Sequence, residues 1–376
     1  MSPVNTEHSP TLRIVGIVLV VAVACLFLFW FFMLRQAPTS NNFDPIIISQ
    51  DTRAGDYNGA VDAYKQYTAN NALTPNKYAL ATVNVFEALY KANGDVNDVL
   101  EGVQDLKNAF AGDISPYVRA QIIMALASAY NDTGENLAVY NTVYADEPFK
   151  SHVASSRSHT LRNMMTWAFD VYPNSRAAIS IAGAYINNAL GRKHIPSRVN
   201  RPDDTAESIV KAKEFLKQSD TLVLQEIAAD PEFSNTSRYA AQKFWRVFVI
   251  GSTVYLGDTE YKNTYAQEYE SFILQFSTEG HAEAKQYVPF AYWNYAIALS
   301  AVDKNEAKAK EQIAKLMAFV NADPKKEVSE FTLILKNEVE RRQQEGPNYN
   351  SVWFDHFMNT IPEFKVFVSE IQSSGN

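Results

Sequence analysis

The feature that most constrains this chain is the run from Ile14 to Leu34, which carries no charge and almost no polar atom. As an α-helix it would span ~31 Å at ~1.5 Å per residue, close to the ~30 Å hydrocarbon thickness of a bilayer. Arg13 and Arg35 bracket it, and Phe27, Phe29, Trp30, Phe31 and Phe32 crowd its C-terminal half. A core helix rarely lacks a polar face over such a length. Three membrane readings remain. Ala22-Val23-Ala24 has the form of a signal-peptide cleavage site, but the apolar run continues past it to Leu34, longer than a signal core. Cys25 follows a sequence resembling a bacterial lipobox, yet the residues after it are apolar where a lipidated cysteine is normally followed by polar ones. The third reading, an uncleaved single-pass anchor, fits the full length of the run. Flanking charge leans by about one unit toward a cytoplasmic N-terminus and an extracytoplasmic remainder.

This divides the chain into a tail at 1–13, the anchor at 14–34 and a polar linker at 35–45 that holds Pro38 and Pro45. A soluble part follows. With 376 residues, 47% of them apolar and 20% charged, the chain has globular rather than disordered composition. A net charge of −8 lacks the electrostatic footprint of a nucleic-acid binder. The one cysteine, Cys25, rules out an intrachain disulfide and a cysteine-rich structural zinc site. A soluble part without cysteine suits an oxidising compartment.

Beyond the linker, helical periodicity dominates and strand-like alternation is scarce. Thr74-Pro75 and Ser115-Pro116 each set a hydroxyl residue before a proline, the pattern of an N-cap followed by N1. Pro173 and Pro289 mark further helix entries or bends. Gly94, Gly134, Gly191 and Gly257 stand near the ends of apolar-periodic runs, where a left-handed C′ residue is often needed. Tyr90 precedes Gly94 and Tyr130 precedes Gly134 by one turn, and an acidic residue follows each glycine. The two stretches are offset by 40 residues, a period typical of stacked helix pairs.

These residues resemble the tetratricopeptide-repeat superfamily. Gly55, Tyr57, Ala60 and Tyr64 match the turn glycine, aromatic and small positions of a unit's second half. Ile123, Leu126, Ala127, Tyr130 and Gly134 match part of a first helix, and Trp293, Ala296, Ala309 and Pro324 stand in similar roles further on. The spacing is nearer 40 than the ~34 of that family. Glu87 and Val99 occupy positions where small residues are expected, and no unit aligns from Glu147 to Phe233. The resemblance implies an all-α fold, an N-terminal transmembrane helix followed by a right-handed tetratricopeptide-like solenoid of antiparallel helix pairs over 46–346. Trp353, Phe354, Phe357, Met358, Ile361, Phe364, Phe367 and Val368 recur at helical spacing and are expected to form capping helices within 347–376, or else a partner-docking helix.

Catalytic and metal motifs are missing from the sequence. No histidine pair has the spacing that sets two ligands on one helical face, and His152 and His159, seven apart, lack a nearby third ligand. Ser208 and Lys211 match a Ser-x-x-Lys pattern without its companion elements and read better as part of an amphipathic helix from Ala206 to Lys217. Carboxylates such as Glu268, Glu270, Asp303 and Glu306 are plentiful enough for a glycoside-hydrolase pair to form in space.

Two clusters are candidates for partner binding. Arg192, Lys193, His194, Arg198 and Arg201 gather within Gly191–Pro202, which reads as a long loop suited to an acidic partner, a phosphate or a lipid headgroup, or as a solvated insertion. Tyr287, Tyr292, Trp293 and Tyr295 are suited either to gripping peptides or sugars or to a core. The expected function is a non-enzymatic, single-pass membrane-tethered scaffold that binds a protein or peptide and uses no cofactor, nucleic acid or metal. A receptor for glycan or peptide ligands and an envelope glycan hydrolase are the alternatives.

Overall fold

The computed structural model describes residues 57–373 apart from 70–72, 94, 134–135, 195–204, 236, 278–284, 324–329 and 346–348. The anchor at 14–34 and the linker at 35–45 lie outside the described residues. Among the described residues all regular structure is helical, so the chain is all-α, and no helix there is long and apolar enough to cross a membrane.

Helices α1 (Tyr57–Thr68), α2 (Pro75–Asn93), α3 (Val96–Ala111), α4 (Pro116–Asp132), α5 (Leu137–Val143) and α6 (Arg157–Val171) form the first stretch. The next comprises α7 (Ser175–His194), α8 (Thr205–Ala229), α9 (Ser237–Tyr255), α10 (Tyr265–Phe276) and α11 (Val288–Ala301). Then come α12 (Glu306–Ala322), α13 (Glu330–Glu345), α14 (Tyr349–Thr360) and α15 (Pro362–Ser373).

Local chemistry sets several of these limits. Thr74 accepts the Lys77 amide at 3.4 Å, and Ser115 accepts the Val118 amide at 3.4 Å, so both hydroxyl–proline pairs do begin helices. Asp95 and Asn136 cap α3 and α5 by accepting amides two residues on, at 2.8 and 2.9 Å. After α9 the chain turns at Gly257, whose φ of +106° is open to glycine and costly for other residues. Pro289 sits in the first turn of α11, where its missing N–H is harmless. Gly191, by contrast, ends nothing, because α7 continues through it to His194.

Helices pack mainly on their neighbours in sequence and on the next but one. α2 packs on α4, and α7, α9 and α11 pack in succession; α3 lies beside α2, α8 beside α7, α10 beside α9 and α11, and α12 beside α11. α6 joins α4 to α7. Close approach of α2 and α3 is made at Gly102, where a Cβ would lie 2.8 Å from a Leu89 methyl and 3.4 Å from the Phe86 ring. The small residue of α3 therefore stands one turn beyond Val99, itself fully buried.

The core is in three parts. A small one joins α1 to α2 through Ala60, Tyr67, Val85 and Ala88. A second runs from α2 to α7, and the largest from α7 to α15. Tyr185 and Phe215 pack against both of the larger ones, making α7 and α8 their common wall. The C-terminal aromatics are core residues, with Phe354, Phe357, Phe364, Phe367 and Val368 all buried. Phe357 and Phe364 reach Trp293 of α11, with ring centroids 5.3 and 5.8 Å away.

A candidate ligand cleft between α8 and α9

Two helical stripes face each other across a cleft of about 260 Å³. α9 contributes Tyr239, Gln242, Lys243 and Arg246, the i, i+3, i+4, i+7 spacing of one helix face. α8 contributes Ser219, Asp220, Val223, Leu224 and Ile227, and Glu268 of α10 closes one end. The connection from α8 to α9 is the 3₁₀ turn Pro231–Asn235, where Phe233 meets Tyr239 edge to face with centroids 5.9 Å apart.

Beneath the cleft lies a polar network at the start of α7. Asn174 caps this helix, accepting the Ala177 amide at 2.9 Å. Ser175 gives its backbone N–H to Glu226 at 3.0 Å and its hydroxyl to the other oxygen at 2.6 Å. A carboxylate at a helix N-terminus answers both the free amides and the positive end of the helix dipole. The Ser175 proton is thereby spent, so its oxygen accepts from the Gln242 side-chain amide, which fixes the orientation of that amide. Ser219 donates to the Ser175 carbonyl at 3.2 Å.

Arg246 takes both acids of the cleft. Its Nε lies 2.9 and 3.1 Å from the two oxygens of Asp220, and its Nη1 lies 2.5 Å from Glu268. Burial works against the guanidinium charge, but Glu268 and Asp220 outweigh it and raise the pKa. Lys243 is the other cation. It is half-buried, its Nζ stands 5.9 Å from the centre of the Tyr239 ring, and it forms no ion pair among the described residues. Burial, then Arg246, lower its pKa, and the weaker pull of Glu268 and Asp220 does not restore it. The cleft thus offers an ammonium with no direct ion pair among the described residues beside an aliphatic wall.

The residues singled out from sequence fall elsewhere. Arg192, Lys193 and His194 belong to the last turn of α7 and not to a loop, because the helix runs past Gly191. Arg198 and Arg201 lie outside the described residues. Lys193 reaches across to the C-terminus of α9, donating to the Tyr255 carbonyl at 3.1 Å with its Nζ 4.0 Å above that ring. A cation there meets the negative end of the helix dipole. Burial and the nearby Lys304 lower the Lys193 pKa.

Nor do the four aromatics form a surface row. Trp293 and Tyr295 are core residues, unavailable to a partner, because α11 is enclosed by α9, α10, α12 and the C-terminal helices. Tyr295 donates to Glu270 at 2.7 Å and stacks on Tyr269 at 5.3 Å. Tyr287 and Tyr292 are half-buried, and Tyr287 stacks on Phe244 with centroids 5.5 Å apart.

The named carboxylates have other partners. Glu268 holds Arg246, Glu270 accepts from Tyr295, and Asp303 accepts from Tyr265 at 2.6 Å. Glu306 accepts the Ser300 hydroxyl at 2.5 Å, and His356 Nε2 lies 3.3 Å from Ser300 and 3.2 Å from Glu306. Three residue types of a hydrolytic triad meet here, but in the wrong order. A nucleophilic serine must give its proton to the histidine while the acid holds the opposite ring nitrogen. Here the serine proton goes to the acid, and both contacts fall on one nitrogen, so the cluster ties α14 to the α11–α12 turn. Ser208 is buried in α8 while Lys211 pairs on the surface with Glu214 at 3.0 Å, so the Ser-x-x-Lys pattern does not converge. Among the described residues no group of three or more His, Cys, Asp or Glu is placed to hold a metal ion.

Comparison of the chain with protein-family models, with curated proteins and with solved structures finds no match.

Proposed function

We propose that this chain is a membrane-tethered, non-enzymatic helical-repeat scaffold that holds a partner protein or peptide near a bilayer. The observation that carries the reading is the packing of α2 on α4 and of α7 on α9 on α11, next-but-one helices, with α3, α8, α10 and α12 paired alongside. Stacked helix pairs bury what one pair cannot bury alone. They also build an extended face, the usual binding surface of such arrays. The right-handed tetratricopeptide-like arrangement belongs to this proposal, as does the tether at 14–34, which would confine the surface to the membrane and raise its effective concentration there. With Trp293 and Tyr295 in the core, a glycan-stacking row loses two of its four rings.

Crosslinking in the native host, followed by capture of the full chain, tests the proposal. The expected result is a protein partner enriched over a control that carries residues 1–45 alone. Equal recovery from the two would refute it.

A further inference from the structure

The cleft between α8 and α9 holds a cation, Lys243, that makes no direct ion pair among the described residues. Arg246 engages Asp220 and Glu268 directly, and their weaker pull on Lys243 does not offset the burial of its half-buried ammonium, which has no ion pair of its own among the described residues. Taking an ammonium out of water is unfavourable unless an anion meets it. Across from it, Val223, Leu224 and Ile227 form an aliphatic wall, and Leu224 is 69% exposed although it lines a concave site. Covering such a side chain is favourable at ~25 cal/mol per Å² of apolar surface.

We propose that this cleft binds a small aliphatic monocarboxylic acid, with its carboxylate on the Lys243 ammonium and its hydrocarbon tail against Val223, Leu224 and Ile227. Size agrees with this. A cleft of about 260 Å³ is below the ~300 Å³ where drug-sized pockets begin, which suits an acid smaller than a drug-sized ligand. Charge limits the ligand to one carboxylate. Lys243 answers the first, while a second would meet Asp220 and Glu268, whose own counter-ion is already engaged. The site does not depend on the scaffold reading, since it requires only α8, α9 and α10.

The test is calorimetric titration of the full chain in detergent micelles with 4-methylpentanoate, against empty micelles as a blank. Saturable binding with one acid per chain is expected, with 4-methylpentanamide and the dicarboxylate 3-methylglutarate each weaker by about tenfold or more. Lys243→Met should abolish binding and Lys243→Arg should retain part of it, both with unchanged helical content and thermal midpoint. Equal binding of acid and amide, no saturable binding, or undiminished binding by folded Lys243→Met would each overturn the assignment. Tighter binding of N-acetyl-Ala-Leu than of the free acid would also overturn it, in favour of a peptide end. Should Lys243→Met misfold, discrimination between acid and amide by the unaltered chain decides alone. Partner capture is read separately, so a failed titration leaves the scaffold proposal intact and a failed capture leaves this one intact.

Discussion

Tyr269 of α10 lies so close to Gly251 of α9 that a Cβ built on the glycine would sit 2.5 Å from the tyrosine hydroxyl and 2.8 Å from its ring. The tyrosine is fully enclosed and stacked on Tyr295, so it has no room to retreat. Gly251→Ala is therefore expected to destabilise the domain by about 1–3 kcal/mol, the usual cost of overpacking. Tyr269→Phe removes the nearest atom, so the double variant should lose less than the sum of the single changes. Urea denaturation followed by circular dichroism gives the comparison, and strict additivity would count against the contact.

Glu226 fastens the end of α8 to the start of α7, accepting two hydrogen bonds from Ser175. Glu226→Ala strands both donors, and about 1–3 kcal/mol of stability should be lost. Glu226→Gln keeps an acceptor but drops the charge facing the helix dipole, so its loss should be the smaller of the two. A glutamine variant as unstable as the alanine one would mean that charge and not geometry carries the tie.

Arg246→Met releases two carboxylates at once. Because the arginine side chain is 21% exposed, the expected loss of about 1–3 kcal/mol is below that of a fully buried pair. The same change removes a like charge from Lys243 and frees the two acids that attract it, Glu268 and Asp220. The lysine pKa should then rise, which an NMR titration of its side chain reads directly. A fall would contradict the arrangement of the cleft.

His152 stacks on Trp167 with centroids 4.3 Å apart and ring planes 14° from parallel. Burial lowers its pKa from the ordinary 6.5, against the opposing pull of Glu147. Below pH 6.5 the unfolded chain takes up a proton that the folded one resists, so unfolding is favoured there. The stabilisation is complete above pH 6.5 and falls away as pH drops toward the folded-state pKa. His152→Gln should flatten this part of the stability–pH curve. An unchanged slope would assign the dependence to another group.

Capping was legible because its chemistry is local. Thr74, Ser115 and Gly257 announce helix ends through hydroxyls, prolines and a left-handed turn that need no tertiary partner. The residues 287–295 were ambiguous for a physical reason. α11 is apolar on every side, with Val288, Ala291, Trp293, Tyr295, Ile297 and Leu299 all buried, so no polar face distinguishes core from groove. The basic cluster misled because Gly191 sits inside a helix that does not end there. Lys243 gave no signal in sequence, since its situation depends on acids 23 residues before it and 25 after it that only the packing of α8, α9 and α10 brings together, as their positions at 220 and 268 show. The tie from Ser175 to Glu226 spans 51 residues and was illegible for the same reason.

The enclosure of α11 also has a consequence in time. During synthesis Trp293 emerges long before Phe357 and Phe364, the rings that cover it. Between the end of α11 at residue 301 and the end of α15 at residue 373 a ribosome adding roughly 5–20 residues per second needs roughly 4–14 s. Throughout that interval the most apolar of the described helices has one flank uncovered. A chain stopped before Tyr349 is fixed in that condition, and it should bind a hydrophobic dye and aggregate where the complete chain does neither. The last helices therefore finish the core, since the Trp293 indole meets Phe357 and Phe364 only once α14 and α15 have been made.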